Sequence, residues 1–169
     1  MARAGEALAA FHDCRYSSFS QMLRSTFDQA LEHFEDGSID LLHIDGLHTY
    51  EAMRHDFESW RPKLSSRAVV LFHDTNVRER DFGGFKLWAE LAEIYPNNFQ
   101  SLHCVGLGVL GVGADLPAPL RRFFVSVRHA EGARLIRDIY GRLGAHCTAT
   151  AVQQLPLPFH FFFALCGIF

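Results

Sequence analysis

The apolar positions of this chain fall into two alternating patterns, and together they predict an α/β fold. Leu41–Ile44 and Ala68–Phe72 are short, almost wholly apolar runs, the pattern of strands covered on both faces of a parallel sheet. Between them Tyr50, Met53, Phe57 and Trp60 recur at i, i+3, i+7 and i+10, one stripe of an amphipathic helix. Pro62 biases Arg61 away from helical geometry and closes that element. Strand, helix and strand in this order make a βαβ unit with a right-handed crossover.

The patterning continues in both directions. Upstream, alanine-rich Ala2–Phe11 suits a short helix and Phe19–Leu23 a brief strand. Thr26 with Gln29 makes a capping box, Asp28 sits in the first turn, and Phe27, Ala30, Leu31 and Phe34 share one helical face. Glu35–Ser38 reads as the turn into the first central strand. Downstream, Gly83-Gly84 leads into a helix with Phe85, Trp88, Leu91 and Tyr95 on one side, stopped at Pro96-Asn97-Asn98. Phe99–Val105 and Val109–Val112 flank Gly106-Leu107-Gly108, the composition of a β-hairpin. Ala130–Leu143 predicts another amphipathic helix, with Leu135, Ile136, Ile139 and Leu143 inward and Gly144 as its stop. The expectation is a mostly parallel sheet ending in an antiparallel hairpin. Residues 16–144 form its domain, between an N-terminal segment (1–15) and an apolar tail (145–169).

Composition narrows the function classes. A chain of 169 residues, 49% hydrophobic and 21% charged, has material for one core. Its formal charge of −3 offers no basic footprint for nucleic acid. The four cysteines are scattered with no CxxC, which argues against a structural zinc site and suits a reducing cytoplasm. Met1–Ala10 lacks the sustained apolar core of a signal peptide. Leu155–Phe169 is uncharged but carries two prolines and falls short of the roughly 20 residues a membrane span needs; a docked terminal strand is expected there.

The candidate chemistry lies where the two central strands end. Asp45 follows one and Asp74 the other. Neighbouring parallel strands, about 4.8 Å apart, would set both acids on the carboxyl edge of the sheet, where open α/β folds bind ligands. Two carboxylates there repel each other, and a hard divalent cation, magnesium first, resolves the repulsion. A single acid at a strand end serves equally well as a cap for the following helix; two on consecutive strands favour a site. His48 would stand over the same crevice, or serve only as a neighbour of a helix cap. His73 should alternate to the opposite side unless its strand has already ended. Arg78 and Arg80 read as loop charges. Gly106–Gly111 spells GxGxxG, yet the sequence around it is β-type and opens no helix, so it is not a dinucleotide site.

The segment from Ile39 to Asn76 resembles the class I S-adenosylmethionine-dependent methyltransferases grouped as methyltransferase family 24. Asp45, Gly46, His48 and Tyr50 match its D-G-x-H-x-Y signature, and Asp74 its second acidic strand end. The similarity spans roughly Tyr16–Gly113. It implies a Rossmann-like sheet with a terminal antiparallel hairpin, S-adenosylmethionine as methyl donor, and magnesium held by Asp45 and Asp74. It also implies His48 as the base that takes the acceptor's proton, and Ser25 near the donor's adenine. The family's glycine-rich turn and ribose-binding acid have no counterpart in residues 1–15, so the chain reads as a C-terminal portion lacking most of the donor-binding half.

The resulting expectation is magnesium-assisted O-methylation of a small-molecule or glycan hydroxyl. A non-catalytic remnant or interaction module is the first alternative and a metal-dependent hydrolase the second. A truncated sheet would expose an edge strand, from which a homodimer or a missing-half partner follows.

Overall fold

The computed structural model describes residue 10 and residues 12–154. The chain divides into two compact units, Met1–His33 and Phe34–Phe169. The expected Ala2–Phe11 helix, Ala10 apart, and the tail Leu155–Phe169 lie outside the described residues.

In the first unit, residues 12–16 are helical. Phe19–Leu23 is not a strand; no described strand pairs with it, and Phe19, Met22 and Leu23 are all exposed. The capping box is present. Gln29 N donates to Thr26 Oγ1 and Thr26 N to Gln29 Oε1, each at 3.2 Å. It starts a shorter helix than the apolar spacing suggests: α1 covers Phe27–Ala30 and passes into a 3₁₀ turn at Leu31–His33.

The second unit holds β1 (Ile39–Ile44), α2 (Tyr50–Trp60), β2 (Leu64–His73), α3 (Gly84–Ile94), β3 (Asn98–Ser101), β4 (Leu107–Gly111), α4 (Ala118–Val127) and α5 (Ala130–Gln154). Its sheet has the order β1-β2-β4-β3. β1 and β2 are parallel, while β4 runs antiparallel to both β2 and β3. Three strands thus share one direction and the hairpin supplies the reversed one, the Rossmann-like arrangement expected.

Two cores sandwich the sheet. On one face Ile44, Val70, Phe72 and Leu110 pack with Met53 and Phe57 of α2 and with Leu87, Trp88 and Leu91 of α3. On the other, Val69 and Phe99 pack with Leu116, Phe124, Val127 and Ala133, beneath α4 and the start of α5. The α2 stripe is buried as its spacing predicts, Met53 to 1% and Phe57 to 3% exposure. Pro62 ends the α-helix, but Arg61 keeps right-handed helical angles and the chain leaves through a 3₁₀ turn, Arg61–Lys63.

The glycine string now has a physical reading. A Cβ on Gly108 would stand 2.4 Å from the Trp88 ring, and Gly106 turns the hairpin at φ +87°. These residues admit a tryptophan and a turn rather than a pyrophosphate, and no helix begins there.

Further expectations fail. β1 is not covered on both faces, since Leu41 is 62% exposed; β1 is an edge strand, and α4 and α5 cover β3 and β4 instead. Helix α4 is additional. Helix α5 runs through Gly144 to Gln154, and it turns Leu135, Ile139 and Leu143 outward, with Ala133 and Ile136 on the core side. Among the described residues no helix is long and apolar enough to cross a membrane.

The register of β1 on β2 is fixed beside an irregularity. Ile39 pairs with Leu64 but Leu41 with Val69, so β2 bulges around Ser65–Arg67. Asp40 spans the bulge, accepting from Ser65 Oγ and from the Arg67 guanidinium. The Ser65 hydrogen bond, followed by the charge of Arg67, holds the Asp40 carboxyl below its usual range. A depressed carboxyl pKa stabilises the fold above the unfolded-state value, about 3.9, and the gain fades as pH falls through the folded-state value. Asp40→Ala is therefore expected to lower the urea midpoint slightly at pH 7 and to leave it unchanged near pH 2. An equal loss at both pH values would contradict this clamp.

Candidate functional site

The register places the chemistry. Ile44 lies opposite Phe72 and His43 opposite Leu71. One residue further, Asp45 leaves β1 beside His73, the last residue of β2. Side chains of a paired position point to the same face, so His73, rather than Asp74, is the natural cross-strand neighbour of Asp45. Asp74 joins them by a different device. Its φ is +58°, a left-handed conformation that aspartate tolerates better than most residues. The strand stops there, and the carboxylate turns back beside the histidine that precedes it.

Four side chains meet at this rim. His73 Nδ1 lies 2.9 Å from Asp74 Oδ1 and 3.3 Å from Asp45 Oδ1. His48 Nε2 lies 3.2 Å from Asp74 Oδ2 and 3.9 Å from Asp45 Oδ1. Each histidine therefore has a ring nitrogen within 4 Å of both acids. Asp74 is the buried member, its side chain only 9% exposed, whereas Asp45 is 49% exposed. The Nδ1 atoms of His48 and His73 are enclosed without an aligned hydrogen bond. The His43 ring stands 6.1 Å from that of His73, further along the same face.

Neither acid is a helix cap. Thr49 caps α2, accepting from Ala52 N at 3.3 Å, and α3 begins at Gly83 without a side-chain cap. The capping alternative for Asp45 and Asp74 is thereby removed, leaving both carboxylates to the rim.

His48 is held from behind. Its ring stacks on Phe82 at 5.0 Å with 10° between planes, and its carbonyl accepts from Gly83 N at 2.8 Å. Phe82 ends the loop that begins at Asp74, so the residues after β2 fold back over the residues after β1.

The structure thus brings together Asp45, His48 and Asp74 and adds His73, which strand alternation had set aside. Ser25 is exposed in the first unit, beside the capping residue Thr26. Arg78 stacks on Phe85 at 4.7 Å. Among the described residues no group of three or more His, Cys, Asp or Glu side chains is arranged to hold a metal ion.

The chain is 53% identical over 115 residues to the uncharacterized protein y4gI of Sinorhizobium fredii (strain NBRC 101917 / NGR234), covering 66% of this chain and 12% of that protein. The chain thus spans about an eighth of the curated relative it matches. No solved structure matches it. A family model described as a methyltransferase domain matches residues 2–75. That match starts ahead of the expected Tyr16 and stops at Thr75, short of the expected Gly113, and it contains Ser25, Asp45, His48, His73 and Asp74. This segment, which carries the whole candidate rim, is similar to the methyltransferase-domain family.

Proposed function

We propose that this domain takes part in S-adenosylmethionine-dependent O-methylation, with a sugar or similar hydroxyl compound as acceptor and His48 as the base. The observation that carries the reading is the approach of His48 Nε2 to the buried Asp74 carboxylate, 3.2 Å, at the carboxyl edge of two parallel strands. A hydroxyl oxygen is a weak nucleophile until its proton is removed. Histidine is suited to that task near neutral pH. Nδ1 is enclosed, so Nε2 takes the proton, and the Asp74 carboxylate beside it stabilises the positive charge the ring gains. Asp45, half exposed, is the acid placed to accept from a second acceptor hydroxyl.

S-adenosylmethionine, when bound, supplies an electrophilic methyl carbon on a sulfonium. As the acceptor oxygen bonds to that carbon, the carbon–sulfur bond breaks and the electron pair stays on sulfur. Ser25 is the residue this reading assigns to the adenine. The domain's own contribution is to hold the acceptor oxygen in line and to remove its proton, and positioning of this kind supplies much of the acceleration.

Magnesium, the remaining part of the expectation, fits less well. Asp45 and Asp74 share a rim, but the groups filling the space between them are imidazoles aimed at the carboxylates. Magnesium prefers oxygen ligands in octahedral geometry. No step above passes through it.

His48→Ala is expected to lower kcat on the order of 10²–10⁴-fold, while S-adenosylhomocysteine affinity by calorimetry stays within about threefold, a change worth less than about 1 kcal/mol. An unchanged rate would remove His48 from the mechanism. In folded wild-type chain, failure to bind S-adenosylhomocysteine would instead support a non-catalytic interaction module. Titration with magnesium chloride is expected to give no saturable heat; saturable binding abolished by Asp74→Asn would restore the metal reading.

A further inference from the structure

The loop after β2 is tied down at both ends, and its far end bears on His48. At its start, Gln100 Nε2 donates to Thr75 O and Oγ1 at 3.0 and 3.1 Å, and Asn76 N donates to Val105 O at 2.9 Å. These bonds fix the loop to the β3–β4 hairpin. At its end, Gly83 N donates to the His48 carbonyl. A Cβ on Gly83 would lie 2.3 Å from Tyr50 N, so the backbone sits flush against the start of α2. Phe82 is thereby delivered onto the His48 ring, its plane nearly parallel to it at 5.0 Å between centroids.

Adjacent residues thus hold both parts of His48: Gly83 grips its backbone and Phe82 covers one ring face. The other ring neighbour, His73, stands off at 6.3 Å and 45°. Rotation of the imidazole about its Cβ–Cγ bond would drive an edge into the Phe82 ring. The stack holds the ring plane, and of the two flat orientations related by a half-turn, the carboxylates of Asp74 and Asp45 favour the one that sets Nε2 toward them. No aligned hydrogen bond constrains Nδ1, so the ring plane depends on packing rather than on a second polar partner.

We propose that Phe82 is a positioning residue: it holds the plane of the His48 imidazole in which Nε2 reaches the two acids. As a statement about catalysis this rests on the methyl-transfer reading; as a statement about the ring it stands on geometry alone. Phe82→Leu keeps bulk but removes the flat surface, and Phe82→Tyr keeps both.

The test joins kinetics to ring-proton NMR on the full chain. Phe82→Leu should lower kcat by roughly 10- to 100-fold, the range of a small misplacement, with the acceptor KM within about threefold, and Phe82→Tyr should restore it. In wild type the His48 ring protons should show ring-current shifts and cross-peaks to Phe82, both lost in Phe82→Leu and retained in Phe82→Tyr. Unshifted His48 protons in wild-type protein, or an unchanged kcat in Phe82→Leu, would overturn the proposal. The wild-type spectrum decides the matter even if Phe82→Leu does not fold. Wild-type chain that shows the ring signature but transfers no methyl group leaves Phe82 in place as the ring's support and removes the methyl-transfer reading instead.

Discussion

The pairing of β1 with β2 is the constraint from which the candidate site follows. Parallel strands cannot be joined by a tight turn, and here α2 makes the crossover, burying Met53, Phe57 and Trp60 to hold it on the sheet. That packing settles which faces of β1 and β2 look inward. The bulge spanned by Asp40 then settles how far β2 has advanced when Leu41 meets Val69. A slip of one residue would send every side chain to the opposite face. Ile44 and Phe72 would leave the core, and Asp45 would lose His73.

Beyond the strands, the rim relies on places where side chains are small or the backbone is unusual. Asp74 turns through a left-handed conformation, and Gly83 allows the returning loop to touch α2. Gly108 makes room for Trp88, which packs beneath Phe72 in the core behind the rim. Each is a local irregularity supported by an ordinary apolar core, the common economy of α/β sites: regular elements for rigidity and irregular ends for chemistry.

Much of this was legible in the chain. The apolar runs and the α2 stripe predicted the βαβ unit, and the two acids at strand ends predicted the rim. What failed has physical causes. Periodicity tells that a helix has an apolar side but not whether a neighbour covers it, and in α5 Leu135, Ile139 and Leu143 face outward. An apolar strand such as β1 looks the same whether it is central or at an edge. His73 was passed over because alternation assumes an extended chain up to the second acid. The chain is extended only through His73, and the left-handed turn at Asp74 brings the acid round to the histidine's side. Phe82 carried no signal of its own; only the loop's two anchors bring it to His48.

The most direct measurement is the register itself, read from interstrand nuclear Overhauser effects between β1 and β2 in the folded chain. The account predicts backbone contacts that pair Ile44 with Phe72 and His43 with Leu71, together with a contact between the side chains of Asp45 and His73. Contacts pairing Ile44 with Leu71 or with His73 would contradict it, because the two acids and two histidines would then not share a rim.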